Sequence, residues 1–214
     1  MFFTFPDLLA LVEEAHARGK RVHVHAHAQP GLRNAIRAGC DVILHGAHID
    51  DEALDGIGEN GLWYMPTLYI TSEAARKDSH AWPAHIRQRM ERAHPIHREG
   101  VAKAYAMGLK IITGTDGISP DAMMTEVNEL VNCGITPLDA LTMATGRTAE
   151  ALGIQDEVGT LAPGKRADIL CVAGNPLKDI GILTSADSIA FVIKNGQVVA
   201  STVKPPPLRV LRKK

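Results

Sequence analysis

Four short apolar runs punctuate the first half of the chain: RVHVHA at 21–26, DVILH at 41–45, LWYMPTLYI at 62–70 and LKIITGTDG at 109–117. Each is preceded by a segment with helical spacing, at 6–18, 30–39, 50–61 and about 83–107. Short buried strands that alternate with helices need crossover connections, and crossovers make a parallel sheet covered by helices. This alternation constrains the fold more than any other feature of the sequence.

Local signals agree with it. Pro6 suits a first helical turn, Leu8, Leu9, Val12 and Ala15 form one apolar stripe, and Gly19 ends the helix. Two further helices are expected at about 121–133 and 137–152. Near residue 156 the character changes to turn glycines, a single buried run at 168–172, and two apolar runs around Asn195-Gly196. Asn-Gly between apolar runs is a strong hairpin signal, so the last part reads as a small β unit. KPPPLRVLRKK, from 204, reads as a proline-stiffened basic tail.

Composition narrows the function classes. With 214 residues and 45% apolar content the chain has enough material for a real core. A net charge of -1 gives no general attraction to nucleic acid or to acidic membranes. No apolar run reaches the length of a membrane span. Cys40, Cys133 and Cys171 are odd in number and far apart, which fits reduced thiols and a cytoplasmic setting. MFFTFPD lacks a basic leading region and makes a poor signal peptide.

The chemistry-bearing side chains fall at strand ends, where parallel α/β folds gather their functional residues. Six of the ten histidines lie between residues 16 and 48. The first run ends at His25 or His27, the second at His45, and the fourth at Asp116. Singly, each has an ordinary explanation: a histidine bonded to backbone, or an aspartate capping the next helix. Together they converge on one mouth, and imidazole plus carboxylate is a Zn²⁺ ligand set. His80, His85, His94 and His97 fall in or near the polar helix and read as its solvated face.

The stretch GKRVHVHAHAQPGLRNAIRAGCDVILHGAHIDDE resembles the strand-5 to strand-6 region of the amidohydrolase superfamily, on its imidazolonepropionase-like and prolidase-like branch. MPTL, GLKIITGTDG, TMATGRTAEALGIQDEVGTLAPGKRADILCVAGNPL and FVIKNGQVV follow in that family's order. The resemblance runs from about residue 6 to 200. It implies an α/β fold equivalent to the C-terminal half of a TIM-like (β/α)8 barrel, with part of a small β-sandwich domain. Residues 1–155 would be the partial hydrolase barrel, 156–203 the sandwich part and 204–214 a flexible basic tail.

The roles that follow from the resemblance are specific. His25, His45 and Asp116 would bind Zn²⁺, one ion or two in the full-length family and weakly or not at all in this chain alone, with Asp116 also taking the proton of the attacking water. In a one-metal arrangement His45 would contact substrate instead. Tyr69 would either polarise the substrate carbonyl or only pack. Alternation places His23, His25 and His27 on one face at different depths. Only His25 is expected to meet His45, with His23 about 6.6 Å deeper in the core and His27 at the rim near substrate or solvent. The implied reaction is hydrolysis of a C–N bond in a small-molecule amide, peptide or cyclic amide.

The family's strand-1 His-x-His pair and strand-4 lysine have no counterpart here. An eight-stranded barrel takes about 250 residues, and the barrel-like part of this chain ends near 155. The alternative is therefore a catalytically inactive half-barrel or a binding scaffold. Open parallel edges in a half-barrel predict self-association. A doubly wound nucleotide-binding fold would need a glycine-rich turn after the first strand, and HAHAQPG is not one.

Overall fold

A computed structural model describes residues 3–78, 82–117, 119 and 121–203. The basic tail expected at 204–214, and His80, lie outside the described residues. The first part runs α1 (Phe5–Ala17), β1 (His23–Ala26), α2 (Gly31–Arg37), β2 (Val42–His45), α3 (Asp51–Glu59) and β3 (Trp63–Met65). Next come α4 (Leu68–Thr71), α5 (Glu73–Asp78), α6 (Ala84–Ala106), β4 (Lys110–Ile111) and α7 (Ala122–Asn132). The helix expected at 137–152 forms as α8 (Pro137–Thr142), a π segment (Met143–Arg147) and α9 (Thr148–Leu152). Strands β5 (Ile169–Val172), β6 (Ile189–Lys194) and β7 (Gln197–Ser201) close the described chain.

The strands form a parallel sheet in the order β1-β2-β3-β4 and a separate antiparallel sheet β5-β6-β7. The expected hairpin is present, with Asn195 and Gly196 both at positive φ, 51° and 78°. Register explains the two faces of the parallel sheet. Val24, Ile43, Tyr64 and Ile111 are in line, and they join the main core formed with the covering helices. The alternate positions Val42, Leu44, Trp63, Met65 and Ile112 form a smaller apolar cluster on the opposite face. β1 and β4 are the edges of this sheet. Among the described residues no helix is long and apolar enough to cross a membrane.

One strand ends near Pro66, where the sequence places its interruption or end, and another is shorter than the sequence predicts. The run 62–70 is strand only at Trp63–Met65. Pro66 has no N–H to give to a ladder, and Thr67 adopts a left-handed backbone (φ 56°, ψ 48°) that turns the chain into α4. The run 109–117 pairs as a strand only at Lys110–Ile111 because β3 offers no longer partner. Ile112 still donates its N–H to the Tyr64 carbonyl at 2.9 Å, and Ile112 and Thr113 stay buried.

Candidate metal centre

Three histidines meet at the C-terminal end of the parallel sheet. His25 is on β1, His27 lies one residue past it, and His45 ends β2. Ring centroids are 4.2 Å apart for His25–His45, 4.7 Å for His25–His27 and 4.7 Å for His27–His45. One nitrogen from each ring can be chosen so that all three lie within 4.8 Å of one another. The expectation that only His25 would reach His45 is corrected: His27 reaches it as well. Alternation does put His25 and His27 on one face. The left-handed backbone at His45 (φ 73°) then ends the alternation of β2 and sets its ring against both.

His23 is also corrected. It is exposed, not buried, on β1, an edge strand of the parallel sheet. Asp116, at φ 49°, is exposed after β4. It stands outside the close histidine group, yet its charge acts on His27 and favours the protonated ring. Tyr69 is buried with Ala75 and Ala122, and its ring closes on Gly117, where a Cβ would come within 2.3 Å.

Burial sets the electrostatics. It draws the His27 pKa down to about 4, helped by the fields of His25, Arg89 and His48. Burial likewise draws His45 down to about 3, with His27, His25 and His97 adding to the effect. Both imidazoles are neutral at physiological pH, the state in which a ring nitrogen can bind a metal. Tetrahedral Zn²⁺ bonds to histidine at about 2.0–2.1 Å. Tetrahedral ligand nitrogens then lie about 3.3 Å apart, inside the 4.8 Å within which the three donor atoms fall. The donor set fits a divalent ion.

A polar shell supports His45, which is 3% exposed. Its carbonyl accepts the Tyr64 hydroxyl at 3.0 Å and the His97 Nε2–H at 2.9 Å. The Thr71 hydroxyl lies 3.2 Å from His97 Nδ1 and 3.0 Å from His94 Nδ1. His94 in turn lies 3.4 Å from Glu129. Glu126, fully buried on α7, accepts the Tyr69 N–H at 2.6 Å.

The solvated-face reading therefore holds for His85, which is exposed, and fails for His97, which is 0% exposed, and for the half-buried His94. A signal for His97 exists in the sequence. Ala93, His97, Gly100, Val101 and Ala104 form one stripe of α6, so His97 is the polar member of a buried face. Glu126 holds the same position among Ala122, Val127 and Leu130 on α7.

A four-stranded parallel sheet backed by helices, with histidines gathered at its C-terminal end, forms a half-barrel with a candidate metal centre. The sequence model of the amidohydrolase family matches residues 2–199, and the chain belongs to that family. The ochratoxinase of Aspergillus niger is 29% identical over 203 residues, which is 92% of this chain and 41% of that protein. A crystal structure of a Xaa-Pro dipeptidase, with methionine bound in its active site, is similar at TM-score 0.80 and 35% identity. That match covers 92% of this chain and 48% of the dipeptidase. A prolidase complexed with N-methylphosphonate-L-proline is similar at TM-score 0.79 and 26% identity, over 93% of this chain and 50% of the other. The chain thus spans about half the length of the relatives it matches.

Proposed function

We propose that this chain carries the strand-end half of a Zn²⁺-dependent hydrolase that cleaves C–N bonds in amides and Xaa-Pro dipeptides. The observation that carries the reading is the convergence of the His25, His27 and His45 ring nitrogens within 4.8 Å at the sheet's C-terminal end. His25 and His45 would hold the ion on either ligand set. The geometry favours His27 as the third donor, the place the sequence assigned to Asp116. A bound Zn²⁺ would lower the pKa of water to about 7 and polarise the scissile carbonyl.

The remaining work falls to the chain's own groups. Asp116, exposed at the mouth and within electrostatic reach of His27, accepts the proton of the attacking water at its carboxylate and returns it to the leaving nitrogen. Arg89 projects its positive field onto the same histidine and has no ion-pair partner among the described residues. It is suited to the carboxylate of a dipeptide. Prolidase and ochratoxinase relatives make amide and dipeptide substrates the first to assay.

The test is hydrolysis of a panel of Xaa-Pro dipeptides and N-acyl amino acids by the zinc-loaded protein, with and without chelator. Turnover is expected to disappear with chelator, and to fall about 100-fold or more in Asp116→Asn while zinc stays bound. Turnover equal in wild type and Asp116→Asn would remove Asp116 from the mechanism. No zinc-dependent turnover on any member of the panel would count against the reading for this chain.

A further inference from the structure

The corner after β3 carries a second kind of information about His45. Thr67 sits there with φ 56° and ψ 48°, a conformation that a β-branched residue adopts rarely and at some cost. In return its hydroxyl reaches across to β2, with Oγ1 2.7 Å from His45 Nδ1. The same hydroxyl donates to the Pro66 carbonyl at 2.5 Å. A hydroxyl has one proton. With that proton on Pro66, Oγ1 can only accept from the ring, so Nδ1 carries the imidazole proton and Nε2 keeps its lone pair.

Little water competes for these atoms, since Thr67 and His45 are each 3% exposed. The corner is held from α7: the Glu126 carboxyl takes the Tyr69 N–H at 2.6 Å, and the N–H groups of Leu68 and Thr67 also act on it. The residue is thereby fixed at two points, its ring by Thr67 and its carbonyl by Tyr64 and His97.

We infer that Thr67 is a positioning residue that locks His45 in the Nδ1–H tautomer, presented by a corner that the buried Glu126 carboxyl holds in place. The tautomer follows from the corner alone. Its consequence, an Nε2 lone pair ready for a metal, rests on the proposed function.

Nitrogen NMR of the histidine rings in zinc-free protein tests the first part. Wild-type His45 is expected to be protonated at Nδ1, Thr67→Val to show a mixture or the Nε2–H form, and Thr67→Ser to restore the wild-type pattern. A wild-type His45 protonated at Nε2, or a Thr67→Val ring identical to wild type, overturns the inference; the wild-type spectrum decides even if the valine variant does not fold. Zinc titration tests the second part, with an expected loss of about 10–100-fold in affinity for Thr67→Val and recovery in Thr67→Ser. A tautomer that shifts with no change in zinc affinity would leave the positioning role intact and overturn His45 as a metal ligand.

Discussion

Glu126→Gln is expected to become progressively more stable, relative to wild type, as the pH is raised from about 4.5 to about 8. Glu126 is fully buried, and that burial, with a further push from Glu129, raises its pKa from 4.5 to about 8 against the pull of the Tyr69, Leu68 and Thr67 N–H groups. The folded-state pKa is above the unfolded one. The associated stability is therefore fully present below about 4.5 and is lost as the pH rises through about 8, because the unfolded chain releases the proton first. The loss over this window is about 3–5 kcal/mol. The neutral amide of Gln escapes it. Urea denaturation of both proteins across the pH range provides the check, and a difference that does not change with pH would show that Glu126 ionises as an ordinary surface carboxylate does.

The second large effect belongs to His97. Its ring is 0% exposed and its Nε2–H is one of two donors on the His45 carbonyl. Truncation to alanine leaves a cavity, removes a donor from a buried carbonyl and strips Thr71 of a partner. Together these are expected to cost about 3–4 kcal/mol, which for a chain of this size lowers Tm by roughly 10 °C. His97→Phe separates the two components, since it fills the volume without the donor. It is expected to recover part of the loss on thermal denaturation. An alanine variant that melts within a degree or two of wild type would contradict the structural role given to this ring.

What could be read in the sequence, and what could not, divides along physical lines. Alternation of short apolar runs and helices was legible because the strands of the parallel sheet pack one face against helices, and the sequential order β1-β2-β3-β4 is the one that the barrel resemblance implies. The positions of His25 and His45 at strand ends were legible for the same reason. The meeting of His27 with His45 was not, because it depends on a left-handed backbone at a non-glycine residue, which no local preference announces. The end of β3 was legible from Pro66, which has no N–H to give to a ladder. His97 and Glu126 were hidden for a different cause. Each is a polar residue inside an apolar stripe, and reading the helix by its overall polarity averages that stripe away. Their role becomes visible only when α6 and α7 are packed against the corner that supports His45.

The account's central claim is that the histidine mouth holds a metal ion. Calorimetric titration with Zn²⁺ tests it most directly, on wild type, His25→Ala, His27→Ala, His45→Ala and, as a control on the same strand, His23→Ala. The account predicts one ion bound per wild-type chain and unchanged binding in His23→Ala. It predicts a loss of at least about 100-fold in affinity in each of the other three, more than the loss of a supporting residue would cause. Zinc binding by His45→Ala as tight as that of wild type would contradict it.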